Sequence, residues 1–145
     1  MNLKTNRHSV YSLQYHLVVV TKYRKSVINE SIKNELILIA KNIFEVKNKA
    51  QILEINTDKD HIHILFNVGS QIQLSKLINS FKTVSSRLVR KKFSSYLSRF
   101  YWKLYFWDNS YYIASVGDAN EDTVKKIYTK SRQIKKLLTP PNAVA

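Results

Sequence analysis

The sequence predicts an α+β domain: a four-stranded antiparallel sheet with two helices on one face and a further helix at the C-terminal end. Three observations carry that expectation. Stretches rich in β-branched and aromatic residues alternate with stretches whose apolar residues recur every three or four positions. Their order along the chain is strand, helix, strand, strand, helix, strand, helix. With 145 residues, 44% of them hydrophobic, the chain can close one core, so residues 1–145 are expected to form a single domain.

Only two glycines and two prolines occur, so element boundaries are read from changes of period. VYSLQYHLVVVTKY (10–23) is β-rich, and its LVVV run suits a central strand. Ile32, Leu36, Ile39, Ile43 and Val46 then mark an amphipathic helix over 31–46, with Asn29 or Ser31 near its cap. AQILEIN (50–56) and HIHILFN (61–67) read as two strands joined through TDKD into an antiparallel hairpin. Leu74, Leu77, Ile78, Phe81, Val84 and Leu88 set a second helix over 72–91. Residues 94–110 show no clean period and read as an aromatic, basic connection. YYIASVG (111–117) is a fourth strand, and 120–138 is a third helix capped by Asn120 or Asp122 and closed by a double proline. The first six elements make the split βαβ of a ferredoxin-like sheet. The third helix is extra and is expected to serve an active site or a partner surface.

Charge narrows the function. Lysine and arginine number 24 against 10 acidic residues, a net charge of +14. Such an excess on a small domain favours a polyanionic partner, most simply nucleic acid, over a basic structural protein or a membrane-surface binder. No cysteine is present, which removes disulfides and thiolate metal sites and fits an intracellular chain. The first residues, MNLKTNRHSV, lack the apolar core of a signal peptide, and no apolar run approaches membrane-spanning length. A cytoplasmic, nucleoid-associated protein is expected.

DKDHIHILF (58–66) carries the most specific chemistry. Strand side chains alternate, so His61 and His63 share one face while Ile62 takes the other. Two neutral imidazoles so placed can offer nitrogen ligands to one divalent ion. The plainer reading is two histidines on a solvated strand. Asp60 beside them and Glu54 on the partner strand add oxygen donors to the neighbourhood.

YHLVVVTKYRKSVI, DKDHIHILF, Ser85-Ser86-Arg87, FWDNSYYIASVG and a tyrosine in the last helix occur in that order. Over roughly residues 8–134 the chain resembles the single-tyrosine transposases of small insertion sequences, members of the HUH endonuclease group. His61-Ile62-His63 is then the histidine–hydrophobe–histidine motif. The resemblance implies cleavage and rejoining of single-stranded DNA through a 5′-phosphotyrosine intermediate, with a divalent metal ion, Mg²⁺ or Mn²⁺, on the two histidines. It implies a homodimer with active sites shared between subunits, and DNA hairpins at element ends as substrate.

Among nine tyrosines, Tyr128 is the expected nucleophile, because it lies on the extra helix near Lys125, Lys126, Lys130 and Arg132. An aromatic anchor packing that helix is the plainer alternative. The family carries a metal-binding glutamine four residues after its tyrosine, but here that position is Arg132, and Gln133 follows one place later. Counting from Gly117 also puts the family's tyrosine at Ile127. One residue rotates a helical side chain by about 100°. Gln133 is nevertheless the expected third metal ligand. Phosphate contacts are expected from Lys22, Arg24, Lys25, Arg87, Arg90, Lys91, Lys92 and Arg99, with Arg24 and Arg87 ranked first through their matching segments. The aromatic tract around Arg99 can stack on unpaired bases or simply edge the core, and Trp102 and Trp107 are equal candidates for core anchors. The altered tyrosine spacing keeps a non-cleaving DNA-binding protein of this fold as an alternative. An RNA-binding ferredoxin-like domain is weaker, since the central strands lack exposed aromatics.

Overall fold

The structure, a computed structural model, describes residues 12–116. Four strands form one sheet in the order β2-β3-β1-β4: β1 (Ser12–Val20), β2 (Gln51–Thr57), β3 (His61–Gly69) and β4 (Tyr112–Ser115). Every pairing is antiparallel, with β3 and β1 central. Helices α1 (Glu30–Lys41) and α2 (Leu74–Lys92) are the two crossovers, which gives the ferredoxin-like arrangement. Both predicted hairpin strands and their register partner are present, and Asp58 N–H donates to the His61 carbonyl at 2.9 Å to close the turn.

The core lies between the helices and one face of the sheet. Leu17 and Val19 of β1 and Ile62, Ile64, Phe66 and Val68 of β3 are buried against Ile32, Leu36, Ile39, Leu77, Ile78 and Phe81. Period-two alternation on the strands and period-3.6 spacing on the helices bring these residues together. Asn29 caps α1, accepting from Ile32 N–H at 2.8 Å.

Several boundaries differ from the sequence reading for local reasons. The first strand ends at Val20, as expected, but Lys22–Arg24 then forms a single tight turn with Tyr23 at φ 58° and Arg24 at φ 55°. Left-handed backbone at two consecutive non-glycine residues has no sequence signature of the usual kind. The first helix widens into a π-helical stretch at Asn42–Lys47. That widening turns the apolar stripe, so Val46 is exposed and Phe44 is buried in its place. On α2 the stripe follows Phe81, Ser85 and Val89, leaving Leu88 exposed. The connection after α2 opens with a one-turn helix, α3 (Ser94–Leu97), where no element was expected. The predicted helix over 120–138, with Tyr128 and Gln133, lies outside the described residues.

Trp102 and Trp107 part company. Trp107 is buried and donates its indole N–H to Ser85 Oγ at 2.8 Å, while Trp102 is exposed. Among the described residues no helix is long and apolar enough to cross a membrane.

Candidate functional site

The sheet face turned away from α1 and α2 collects the histidines. His61 and His63 stand on it together, as alternation requires. Register adds a residue that the sequence reading missed. His63 pairs with Val18 and Leu65 with His16, so His16 lies diagonally across β1 on the same face. Its Nδ1 is 2.9 Å from His63 Nε2, one nitrogen donating to the other, and the two rings stack at 5.1 Å and 12°. No motif places His16 there. Only the β1–β3 register does, and register was not readable from one strand alone.

Each ring is electrostatically prepared. Asp60 Oδ1 lies 3.0 Å from His61 Nδ1. A carboxylate at that nitrogen favours the tautomer with its proton on Nδ1, which turns the Nε2 lone pair outward. His63 is only 5% exposed. Burial, reinforced by the neighbouring His16 and His61 rings and opposed by Glu54, pulls its pKa down from 6.5 to about 4. It is therefore neutral at pH 7, the form that binds a metal ion. His16 is also pulled below its ordinary value by burial. Glu54 is exposed and accepts from Asn56 Nδ2 at 2.5 Å, and Asn56 pairs with His63 across β2 and β3.

These shifts predict a visible titration. In an NMR titration of the histidine ring protons, His63 is expected to move near pH 4. The unfolded chain takes up this proton near 6.5 and the folded chain only near 4, so His63 adds stability above 6.5 that is lost as pH falls through about 4. A His63 resonance moving near 6.5 in the folded chain would contradict the burial argument.

The expected basic contacts divide by position. Lys25, Arg87, Lys91, Lys92 and Arg99 are exposed and Lys22 and Arg90 half-buried. Lys92 pairs with Glu35 at 3.1 Å, and Arg90 Nε donates to Ser86 Oγ. Arg24, ranked first for phosphate contact, is turned inward and only 5% exposed, which corrects its reading as a surface cation. Burial lowers its pKa, while nearby Asp60, Asp108 and the Tyr112 hydroxyl raise it. The left-handed turn at Tyr23 and Arg24 is what swings this side chain under the surface. Arg24 thus sits behind Asp60, which in turn holds His61. Lys82 donates to three successive carbonyls, those of Asp108, Asn109 and Ser110, at 2.7, 3.0 and 3.3 Å. It fixes the loop that leads into β4 and Tyr112.

The donor set for a metal is partial. Among the described residues no group of three or more His, Cys, Asp or Glu side chains is arranged to hold an ion. His61 and His63 could serve as two nitrogen donors, the first oriented by a carboxylate and the second kept neutral by burial. A further donor has to come from elsewhere, and Gln133 lies outside the described residues.

Comparison with known proteins agrees with this geometry. The family model described as "Transposase IS200 like" matches residues 9–130. The ISDra2 transposase TnpA of Deinococcus radiodurans is 27% identical over 137 residues, covering 93% of this chain and 94% of that protein. The transposase for insertion sequence element IS200 of Salmonella typhimurium is 29% identical over 114 residues, covering 79% and 74%. A crystal structure of a Deinococcus radiodurans R1 protein assigned as a transposase superposes with a TM-score of 0.78 at 25% identity, covering 90% of this chain and 97% of that one. A REP-associated tyrosine transposase bound to a REP hairpin shares the fold at a TM-score of 0.57 and 10% identity, covering 83% and 67%. The family match takes in the histidine strand, both crossover helices and all four strands, and the chain belongs to the IS200-like single-tyrosine (HUH) transposases.

Proposed function

We propose that this chain nicks and rejoins single-stranded DNA, with Tyr128 as nucleophile and His61 and His63 as the metal-binding pair. The observation that carries the reading is the shared strand face of the two imidazoles, one oriented by Asp60 and the other kept neutral by burial. Family membership supports the reaction class. The Tyr128 oxygen attacks the scissile phosphorus and loses its proton. The bond from phosphorus to the 3′ oxygen breaks, and that oxygen leaves with its electron pair and is protonated to a 3′-OH. The 5′-phosphotyrosine conserves the bond, so a second 3′-OH can displace the tyrosine and join a new strand.

His61, His63 and Gln133 would hold a divalent ion, Mg²⁺ or Mn²⁺, which supplies polarisation of a phosphate oxygen when bound. Two nitrogen donors favour Mn²⁺ over the harder Mg²⁺. Asp60 holds His61 in its ligating tautomer, and Arg24 lies close enough to Asp60 to feel its charge. Exposed Lys25, Arg87, Lys91 and Arg99 draw the DNA backbone in, and element-end hairpins are the expected substrate. The working unit is a homodimer whose subunits share active sites.

The test is direct. The full chain, incubated with Mn²⁺ and single-stranded DNA carrying its element end, is expected to give a denaturation-resistant protein–DNA adduct that maps to Tyr128 and is absent with a chelator. An adduct at another tyrosine would move the nucleophile. DNA binding without any adduct would favour the non-cleaving reading, for which the displaced glutamine at 133 is the supporting observation.

A further inference from the structure

An open cavity of about 310 Å³ lies where the end of α2, α3 and the following loop meet. Arg90, Tyr101, Trp102, Lys103, Leu104 and Tyr105 are among its walls. Two large apolar side chains here face water: Trp102 is 78% exposed and Leu104 81%. The core already has its tryptophan in Trp107, so nothing inside the fold calls for Trp102. The floor beneath is fixed. Tyr101 donates its hydroxyl to the Lys22 carbonyl at 2.8 Å and meets Tyr105 edge-on at 6.2 Å. Tyr105 in turn meets the half-exposed Tyr23 edge-on at 5.8 Å.

Cations line this aromatic surface. Lys103 Nζ lies 4.6 Å from the Trp102 ring centroid, and Lys22 Nζ lies 5.3 and 5.0 Å from those of Tyr23 and Tyr105. The lysines on this surface repel the same surface of a second copy. The occupant must be anionic and must also present a flat face to an indole. An unpaired nucleotide does both: its base stacks and its phosphate meets a cation. A lipid headgroup offers the charge without the flat face.

We propose that the Trp102–Leu104 loop is a stacking subsite for one unpaired base of single-stranded DNA, with Lys103 and Arg90 meeting the adjoining phosphate. The subsite rests on the DNA-binding part of the function proposed above and not on cleavage.

Tryptophan fluorescence of the full chain, titrated with oligothymidylate, reads the subsite, because Trp102 is exposed and Trp107 buried. Quenching on binding is expected in the wild type and is lost in Trp102→Ala. The affinity of Trp102→Ala should fall about 5- to 150-fold, the range reported per stacked base. Trp102→Phe should recover most of it. An oligomer lacking bases should bind the wild type as weakly as oligothymidylate binds Trp102→Ala. Unchanged affinity in Trp102→Ala, or equal binding of the baseless oligomer, overturns the subsite. So does a larger Trp102 dependence for oligouridylate or for phosphatidylserine vesicles, which would assign the loop to RNA or to a membrane. Circular dichroism checks the fold, and the baseless oligomer decides the question without any variant. Adduct formation with an unchanged Trp102→Ala affinity removes the subsite and leaves cleavage standing. A base-dependent quench without adduct does the reverse.

Discussion

His63→Ala is expected to slow covalent adduct formation on the order of 10²–10³-fold, the loss typical when one preorganised electrostatic partner of a transition state is removed. Binding of single-stranded DNA should change little, since the affinity proposed above rests on phosphate contacts spread over exposed cations. The size of the effect follows from position. His63 lies on β3, a central strand of the sheet, flanked by Val18 on β1 and Asn56 on β2, and is 5% exposed. Its geometry is set by the sheet. His16 touches it at 2.9 Å but hangs from a different strand. Single-turnover assays with Mn²⁺ measure the rate, and filter binding measures the affinity. Wild-type adduct rates in His63→Ala would remove this residue from the mechanism.

Arg24→Ala is expected to destabilise the fold by about 3–5 kcal/mol, the usual consequence of stripping one partner from a buried charge pair. Arg24 is 5% exposed and Asp60 8%, and the Asp60 carboxylate favours the charged form of the guanidinium. Without the guanidinium, the Asp60 carboxylate and the Tyr112 hydroxyl lose their cationic neighbour. Arg24→Lys should recover only part of the loss, because an ammonium lacks the planar fork that reaches two partners. Urea denaturation of the purified chain gives the numbers. A loss below about 1 kcal/mol, the level of an exposed ion pair, would mean that Arg24 is a surface residue after all.

Much of the architecture could be read in advance because each element announced its own period. HIHILFN alternates, Ile32-Leu36-Ile39 and Leu77-Ile78-Phe81 keep helical spacing, and Asn29 stands where a cap belongs. What escaped was set by contacts between elements. The turn at Tyr23 and Arg24 uses left-handed backbone without glycine, held by Thr21 N–H on the Asp60 carbonyl at 2.9 Å and Lys22 N–H on the Phe106 carbonyl at 2.8 Å. Those partners are distant in sequence. For the same reason Arg24, prominent as a cation in KYRK, proved to be an inward brace. The two tryptophans looked alike because the unpatterned tract around them has no face, and only Ser85 on α2 distinguishes Trp107. The HxH pair was legible because two-residue spacing guarantees a common face, whereas His16 needed the pairing of β1 with β3.

β3 devotes alternate residues to different ends. Ile62, Ile64, Phe66 and Val68 hold the domain together, and His61 and His63 point the other way. Selection can therefore act on the two sets separately. Replacing the imidazoles would leave the core face of the strand untouched, so the proposed chemistry can be lost while a foldable, cationic body remains, a short mutational route from an enzyme to a stationary role.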